Sequence, residues 1–127
     1  MTTKNSLQID LKQALTKLEE SLDLQKTDIS RDASIQRFEF VFELSWKLMS
    51  EIIKDQSKEP FTGVKNTIRS AANLGLIDNP SDWFTYLEAR NLTVHTYDEK
   101  IANQVYDIIK NFPILVHSLL KSLPKYL

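Results

Sequence analysis

The side chains best suited to chemistry lie in one short polar segment. Arg90 and Asn91 stand five and four positions before His95, and Tyr97 follows it by two. If a helix continues to about Val94, Asn91 and His95 share a face, because residues four apart are neighbours on a helix. A guanidinium, an imidazole and the free N–H groups of a following helix start suit a phosphodiester. We therefore predict Arg90 and His95 as catalytic residues, with Asn91 and Tyr97 supporting them.

The same four residues also have purely structural interpretations. Arg90 can form a surface ion pair with Glu88 or Asp98. His95 can be an ordinary turn residue, and Tyr97 can bury its ring while its hydroxyl stays at the surface. The spacing alone leaves both the chemical and the structural interpretation open.

The rest of the chain offers few chemical groups. It has no cysteine, its two histidines are far apart, and it contains no glycine-rich phosphate loop, so we predict neither a metal site nor a cofactor. His117 stands among apolar residues and is interpreted as structural. We expect Trp46 and Trp83 to be core residues rather than a platform for stacking bases.

Length and composition indicate one domain spanning residues 1–127. The chain is 42% hydrophobic and 26% charged with a net charge of −1, so a polyanion must be bound by a local patch rather than by the overall field. The sequence contains neither a signal-peptide pattern nor the ~20 consecutive apolar residues of a membrane span. We expect a soluble, cytoplasmic protein that does not interact with membranes.

The apolar spacing predicts helices, and two glycines and four prolines are too few for most all-β folds. A first helix is predicted over about residues 5–24. A second is predicted from Ser30, as N-cap, to about residue 56. Its polar stripe includes Glu43 and Lys47, a favourable i,i+4 pair that we interpret as a solvated face.

Later helices should position the polar segment. Thr62 is predicted to cap a short third helix that ends at Gly75. The fourth helix starts near Pro80 and is expected to direct one stripe inward, made of Trp83, Leu87, Asn91 and Val94.

A capping box is predicted at the start of the fifth helix, with Thr96 as N-cap and Glu99 at N3. Tyr97 would then be the first helical residue. Pro113 should kink or split this helix. Its expected inward residues are Ile101, Val105, Ile108, Phe112, Leu115 and Leu119. The predicted fold is all-α, an antiparallel bundle of four main helices plus one short helix.

Two segments resemble a known family. The run from Arg90 to Glu99, with its Arg-Asn-x(3)-His-x-Tyr pattern, is similar to the signature of HEPN domains of the HepT-like branch. The segment from Arg37 to Lys47, Arg-Phe-Glu-Phe-x-Phe-Glu-Leu-x-Trp-Lys, resembles the second helix of that branch, which is also called the nucleotidyltransferase substrate-binding protein family. With helix number and order, the resemblance covers about residues 5–122.

The resemblance implies a homodimer that brings two signature motifs together. It implies a metal-independent RNA endonuclease acting as the toxin of a toxin–antitoxin pair. The antitoxin would be a small nucleotidyltransferase that silences the toxin, in some pairs by transferring AMP to the tyrosine corresponding to Tyr97. In this interpretation Arg90 holds the phosphate, His95 transfers protons, and Asn91 orients His95 or a substrate oxygen.

Two other functions stay open. Some members of this branch are described only as binding partners of the nucleotidyltransferase, which would make this chain a non-catalytic docking module that holds the partner's substrate. The near-neutral charge favours that alternative, because a general RNA binder gains from more Lys and Arg. The other alternative is a helical interaction protein without an active site.

Overall fold

A long helical hairpin forms one side of the molecule. The computed structural model describes residues 3–58 and 60–126. Helix α1 (Lys4–Asp23) and helix α2 (Asp28–Ser57) run antiparallel, and an ion pair between Lys4 and Asp55 joins their far ends, with 2.6 Å between nitrogen and oxygen. The predicted first and second helices are therefore confirmed to within a few residues.

Four shorter α-helices complete the bundle. They are α3 (Val64–Leu74), α4 (Pro80–Leu92), α5 (Glu99–Ile109) and α6 (Phe112–Ser122), with 3-10 turns at Thr93–His95 and Leu123–Lys125. Lys110 and Asn111 keep right-handed helical dihedrals, so α5 and α6 are two halves of one interrupted helix. Throughout the described ranges the structure is helical without strands, which confirms the predicted all-α bundle of four main helices and one short helix.

An aromatic cluster joins α2, α4 and α6. The ring of Phe112 is fully buried, and its centroid lies 5.0 Å from Phe38, 5.5 Å from Trp83 and 4.8 Å from Tyr86. Phe42 adds a further ring at 6.1 Å. Because these rings come from three helices, their packing fixes how α4 lies against the hairpin. Trp83 is thus a core residue, as predicted.

The observed helix starts differ from two predicted caps. Thr27, not Ser30, is the N-cap of α2, and the Thr27 hydroxyl and the Ser30 hydroxyl bond each other's backbone N–H in a reciprocal capping box. Thr62 does not cap α3, because Gly63 occupies the N-cap position with a φ of 115°. Gly75 does end α3 in the left-handed conformation, as predicted.

The interrupted helix also differs in register from the prediction. Pro113 is the second residue of α6, where its missing N–H leaves no helical hydrogen bond unmade. Of the two predicted outcomes, a kink or a split, the structure shows the split. Ile101 and Ile108 are only partly buried. The buried face consists of Ala102, Val105, Tyr106 and Ile109 in α5, and of Phe112, Pro113, Val116 and Leu119 in α6.

Candidate functional site

The polar segment lies where α4 ends. After Leu92 the chain tightens into the 3-10 turn, in which the Thr93 hydroxyl donates to the Arg90 carbonyl at 2.6 Å. The Thr96 hydroxyl donates to the Thr93 carbonyl at 2.8 Å. Each of these carbonyls also accepts a backbone N–H, from Thr93 and from Thr96 respectively, so the two hydroxyls add to the hydrogen bonds of this turn. Arg90 and His95 therefore lie in one continuous helical stretch. The prediction of an α-helix to Val94 is wrong for Thr93 and Val94, which belong to the 3-10 turn.

Arg90 forms an ion pair that the sequence interpretation missed. The Arg90 Nη2 contacts Glu43 Oε1 of α2, and the two side chains are 36% and 29% exposed. The Trp46 indole N–H donates to the other Glu43 oxygen at 2.9 Å. Glu43 is thus not on a solvated face paired with Lys47, and Arg90 pairs with neither Glu88 nor Asp98. Glu43 stands inside the segment from Arg37 to Lys47 that resembles the second helix of the family. That resemblance was the signal in the sequence that could have identified Glu43 as a residue of the site.

His95 and Tyr97 form an exposed ring pair. Their ring centroids are 6.1 Å apart at an interplanar angle of 73°, an edge-on contact. Both residues are exposed, and 85% of Tyr97 is accessible to solvent. The structure therefore excludes a buried Tyr97 ring within this chain and leaves the imidazole accessible to a ligand.

The start of α5 corrects the predicted capping box. Asp98 is the N-cap, and its carboxylate accepts a hydrogen bond from the Lys100 backbone N–H at 2.9 Å. Thr96 is not the cap, and Glu99 is the first helical residue rather than N3. Tyr97 precedes the cap instead of starting the helix. The Asp98 carboxylate already accepts a hydrogen bond from one of the N–H groups at this helix start. The helix start is therefore less favourable for binding an anion than the sequence predicted.

Asn91 lies on the surface beside this turn. It is exposed, and Val94 is 71% exposed, so the predicted inward stripe through both residues is wrong. Trp83, Tyr86 and Ala89 form the buried face of α4 instead. The exposure of Asn91 leaves its amide accessible to a substrate or a second chain.

A buried arginine anchors α5 to the hairpin. Arg31 of α2 is 5% exposed, bonds Asp32 at 2.9 Å and Asn103 at 3.3 Å, and lies 3.7 Å from the Glu99 carboxylate. The hydrogen bond to Asp32 raises the pKa of Arg31 above its ordinary value. Since Glu99 directly follows the Asp98 cap, this contact helps hold the segment that carries Tyr97.

The second histidine does not join the site, nor is it a core residue. His117 is exposed on α6, and its Nε2 lies 3.2 Å from the Glu19 carboxylate of α1. Within the described ranges, no three His, Asp or Glu side chains cluster closely enough to hold a metal ion. His95 is therefore the imidazole that this chain contributes to the polar segment.

The fold and this segment define an all-helical bundle domain with an Arg-x4-His-x-Tyr sequence at a helix end. Over residues 8–125 the sequence matches the family described as nucleotidyltransferase substrate binding protein like. The chain belongs to this family, and the resemblance seen in the sequence is confirmed.

Relatives of known name or structure support the same assignment. The chain is 39% identical over 94 residues to a protein named probable ribonuclease HepT from Haemophilus influenzae, covering 71% of this chain and 64% of that protein. It therefore spans less than two thirds of that relative's length.

Two solved structures share the fold. One, from Haemophilus influenzae, is described as the fold of a substrate binding domain of a nucleotidyltransferase; it is 33% identical with a TM-score of 0.83, covering 92% of this chain and 98% of that one. The other, from Thermus thermophilus, is 30% identical with a TM-score of 0.82, covering 89% of this chain and 98% of that one. Among the described residues, no helix is long and apolar enough to cross a membrane.

Proposed function

We propose that the chain is a HEPN-type toxin that cleaves RNA internally without a metal and is silenced by a partner nucleotidyltransferase. The observation that carries this proposal is the end of α4, where a fixed Arg90 guanidinium precedes an accessible His95 imidazole by five residues. The relative named probable ribonuclease HepT supports the same reaction class.

The proposed chemistry uses the RNA's own nucleophile. A base removes the proton of the 2′-hydroxyl, whose oxygen attacks the adjacent phosphorus, and an acid protonates the departing 5′-oxygen. Arg90 stabilises the charge on the phosphoryl oxygens with guanidinium N–H groups. Asn91, exposed beside it, orients a substrate oxygen or His95. One chain contributes one histidine here, so a homodimer would supply both base and acid.

The partner's role concerns Tyr97. Its exposed hydroxyl is open to a nucleotidyltransferase, and attached AMP would place a phosphodiester charge near Arg90. That charge competes for the guanidinium that RNA needs, so the modified protein should be inactive.

A second candidate function is a non-catalytic docking module for the nucleotidyltransferase. The family description and the Haemophilus influenzae fold, both named for substrate binding, favour it. The net charge of −1 also favours it, since general RNA binding benefits from positive charge.

Replacing His95 distinguishes the two candidates. We expect the wild-type protein to slow bacterial growth and to cleave RNA in the presence of EDTA, and His95→Ala to lose both effects by at least about a hundredfold, the usual contribution of a general acid or base. The variant should remain folded, because His95 is exposed.

His117→Ala is the matched control, since this exposed histidine lies away from the segment and pairs with Glu19. It should cleave RNA like wild type. Equal activity of wild type and folded His95→Ala would overturn the ribonuclease proposal. Inactive wild-type protein that binds the nucleotidyltransferase tightly would support the docking module.

A further inference from the structure

We propose that Glu43 is the positioning residue for Arg90, and that the Trp46 indole in turn holds Glu43. This inference rests on the proposed function, in which Arg90 binds the RNA phosphate. It starts from the cross-helix contact between Arg90 Nη2 and Glu43 Oε1, which joins α4 to α2.

The contact occupies only part of the guanidinium. Arginine has five N–H donors in a planar fork, and Glu43 faces the Nη2 end. Because 36% of the Arg90 side chain is exposed, donors remain for a phosphate oxygen while one edge is held by protein. A long side chain that is fixed before the substrate arrives loses less conformational entropy on binding it.

Glu43 is itself held from the opposite side. Its Oε2 accepts the Trp46 indole N–H at 2.9 Å, while its buried Oε1 contacts Arg90 as an ion pair without forming a hydrogen bond. The Trp46 ring stacks on Phe61 from the loop before α3, with 5.4 Å between centroids and an angle of 24°. The indole that holds the carboxylate is therefore itself partly buried and packed, although Phe61 is 56% exposed.

The charge of Glu43 predicts a distinctive kinetic effect. A carboxylate beside the phosphate site repels bound RNA, so it weakens ground-state binding while orienting the group that stabilises the transition state. Removing its charge should therefore lower kcat and leave KM unchanged or lower. A residue that served only to dock RNA would instead raise KM.

The test compares Glu43→Gln with a neighbour on the same helix. Glutamine keeps the shape and can still accept the indole hydrogen bond, but it loses the ionic attraction to Arg90. We expect kcat for RNA cleavage to fall about ten- to a hundredfold, the usual effect of losing an interaction with a charged group. Trp46→Phe, which removes the N–H donor, should cause a smaller loss in the same direction.

Glu39→Gln is the matched control. Glu39 lies one turn earlier on α2, is also half-buried, and forms no ion pair within the described part of the chain. It should leave kcat and KM unchanged. If Glu39→Gln lowered kcat as much as Glu43→Gln, a general effect of helix charge would replace the proposal.

Two further measurements separate positioning from a structural role. In an Arg90→Ala background, Glu43→Gln should cause no further loss of activity, because the group that it positions is gone. In NMR spectra, the Arg90 guanidinium signal, assigned by its absence in Arg90→Lys, should be resolved in wild type and Glu39→Gln and broadened in Glu43→Gln. Multiplicative loss in the double variant, or an unchanged signal, would overturn the positioning role.

The NMR result does not depend on nuclease activity. If wild-type protein fails to cleave RNA but the signal changes as expected, the proposed function fails and Glu43 still positions Arg90. If RNA is cleaved and Arg90→Ala is inactive, but Glu43→Gln is as active as wild type, the function stands and this inference is wrong.

Discussion

Tyr97 combines accessibility with closeness to the imidazole. It lies two residues after His95, contacts its ring edge-on, and precedes the Asp98 cap. A group attached to its oxygen would therefore lie beside the His95 imidazole. The added negative charge would be that of the phosphodiester in the modification.

We expect co-expression with the cognate nucleotidyltransferase to add the mass of AMP to the peptide that contains Tyr97. Tyr97→Phe should abolish both this adduct and the protection from toxicity, because no hydroxyl remains to accept the group. Intact-protein and peptide mass spectrometry check the adduct, and growth curves check the protection.

Tyr126→Phe is the control for this modification. The Tyr126 hydroxyl donates to the Leu74 carbonyl at 2.6 Å and is therefore already engaged, so this variant should carry the adduct as wild type does. Protection without any adduct would contradict modification and would favour regulation by binding alone.

At the scale of single residues, the sequence located the polar segment but not its tertiary partner. The proximity of Arg90 and His95 follows from their spacing, because a helix and its last turn keep such residues close. Glu43 lies 47 positions before Arg90 in the sequence. Its i,i+4 relation to Lys47 favoured a local pair, yet packing of α4 against α2 provided a guanidinium instead. Local spacing cannot predict a choice that depends on how two helices cross.

At the scale of helices, the number and type of elements could be predicted, whereas their ends were less certain. Apolar periodicity predicted α1 and α2 correctly. The caps at Ser30 and Thr96 were wrong because Ser, Thr and Asp in neighbouring positions compete for the same N-cap role. The cap at Thr62 was wrong because Gly63 occupies the N-cap position with a positive φ. The structure selects Thr27, where Ser30 completes a capping box, and Asp98, where a carboxylate adds a charge near the helix N-terminus.

Gly75 is the one predicted helix end at which the backbone conformation is left-handed and therefore favours glycine. Its φ is 83°, and a Cβ placed there would lie 3.7 Å from the Tyr126 hydroxyl oxygen, an ordinary contact. We therefore expect Gly75→Ala to lower the free energy of unfolding by about 1–2 kcal/mol through backbone strain alone. Urea unfolding monitored by circular dichroism measures this difference.

Gly75→Asn is the comparison variant, because asparagine tolerates the left-handed region better than alanine does. It should lose less stability than Gly75→Ala despite its larger side chain. The opposite order would mean that space around Tyr126, rather than backbone conformation, limits this position.

At the scale of the whole molecule, the polar segment depends on helices that meet in the aromatic cluster. Phe112 contacts rings from α2 and α4, so the junction between α4 and α5 is held by packing at the opposite end of α4 as well as by Arg31 and Glu43. The sequence predicted Trp83 and Phe112 as inward-facing core residues but did not predict Tyr86. Their mutual contacts required the three-dimensional arrangement, because residues 38 and 112 are brought together only by the folded bundle.

A homodimer is the remaining requirement of the proposed chemistry, which needs two histidines while His117 is engaged with Glu19 on another side. The exposed Val94, 71% accessible, lies directly beside His95 and is suited to burial against a second chain.

We expect light scattering to show a dimer at micromolar concentration, and Val94→Asp to yield monomers that no longer cleave RNA, since a buried unpaired carboxylate opposes association. Ile114→Asp is the control, because this residue is similarly exposed, at 68%, but lies on α6 near the start of α4. It should leave both the mass and the activity unchanged. A wild-type monomer that cleaves RNA, or active monomers of Val94→Asp, would show that one histidine suffices and that the two-chain mechanism is wrong.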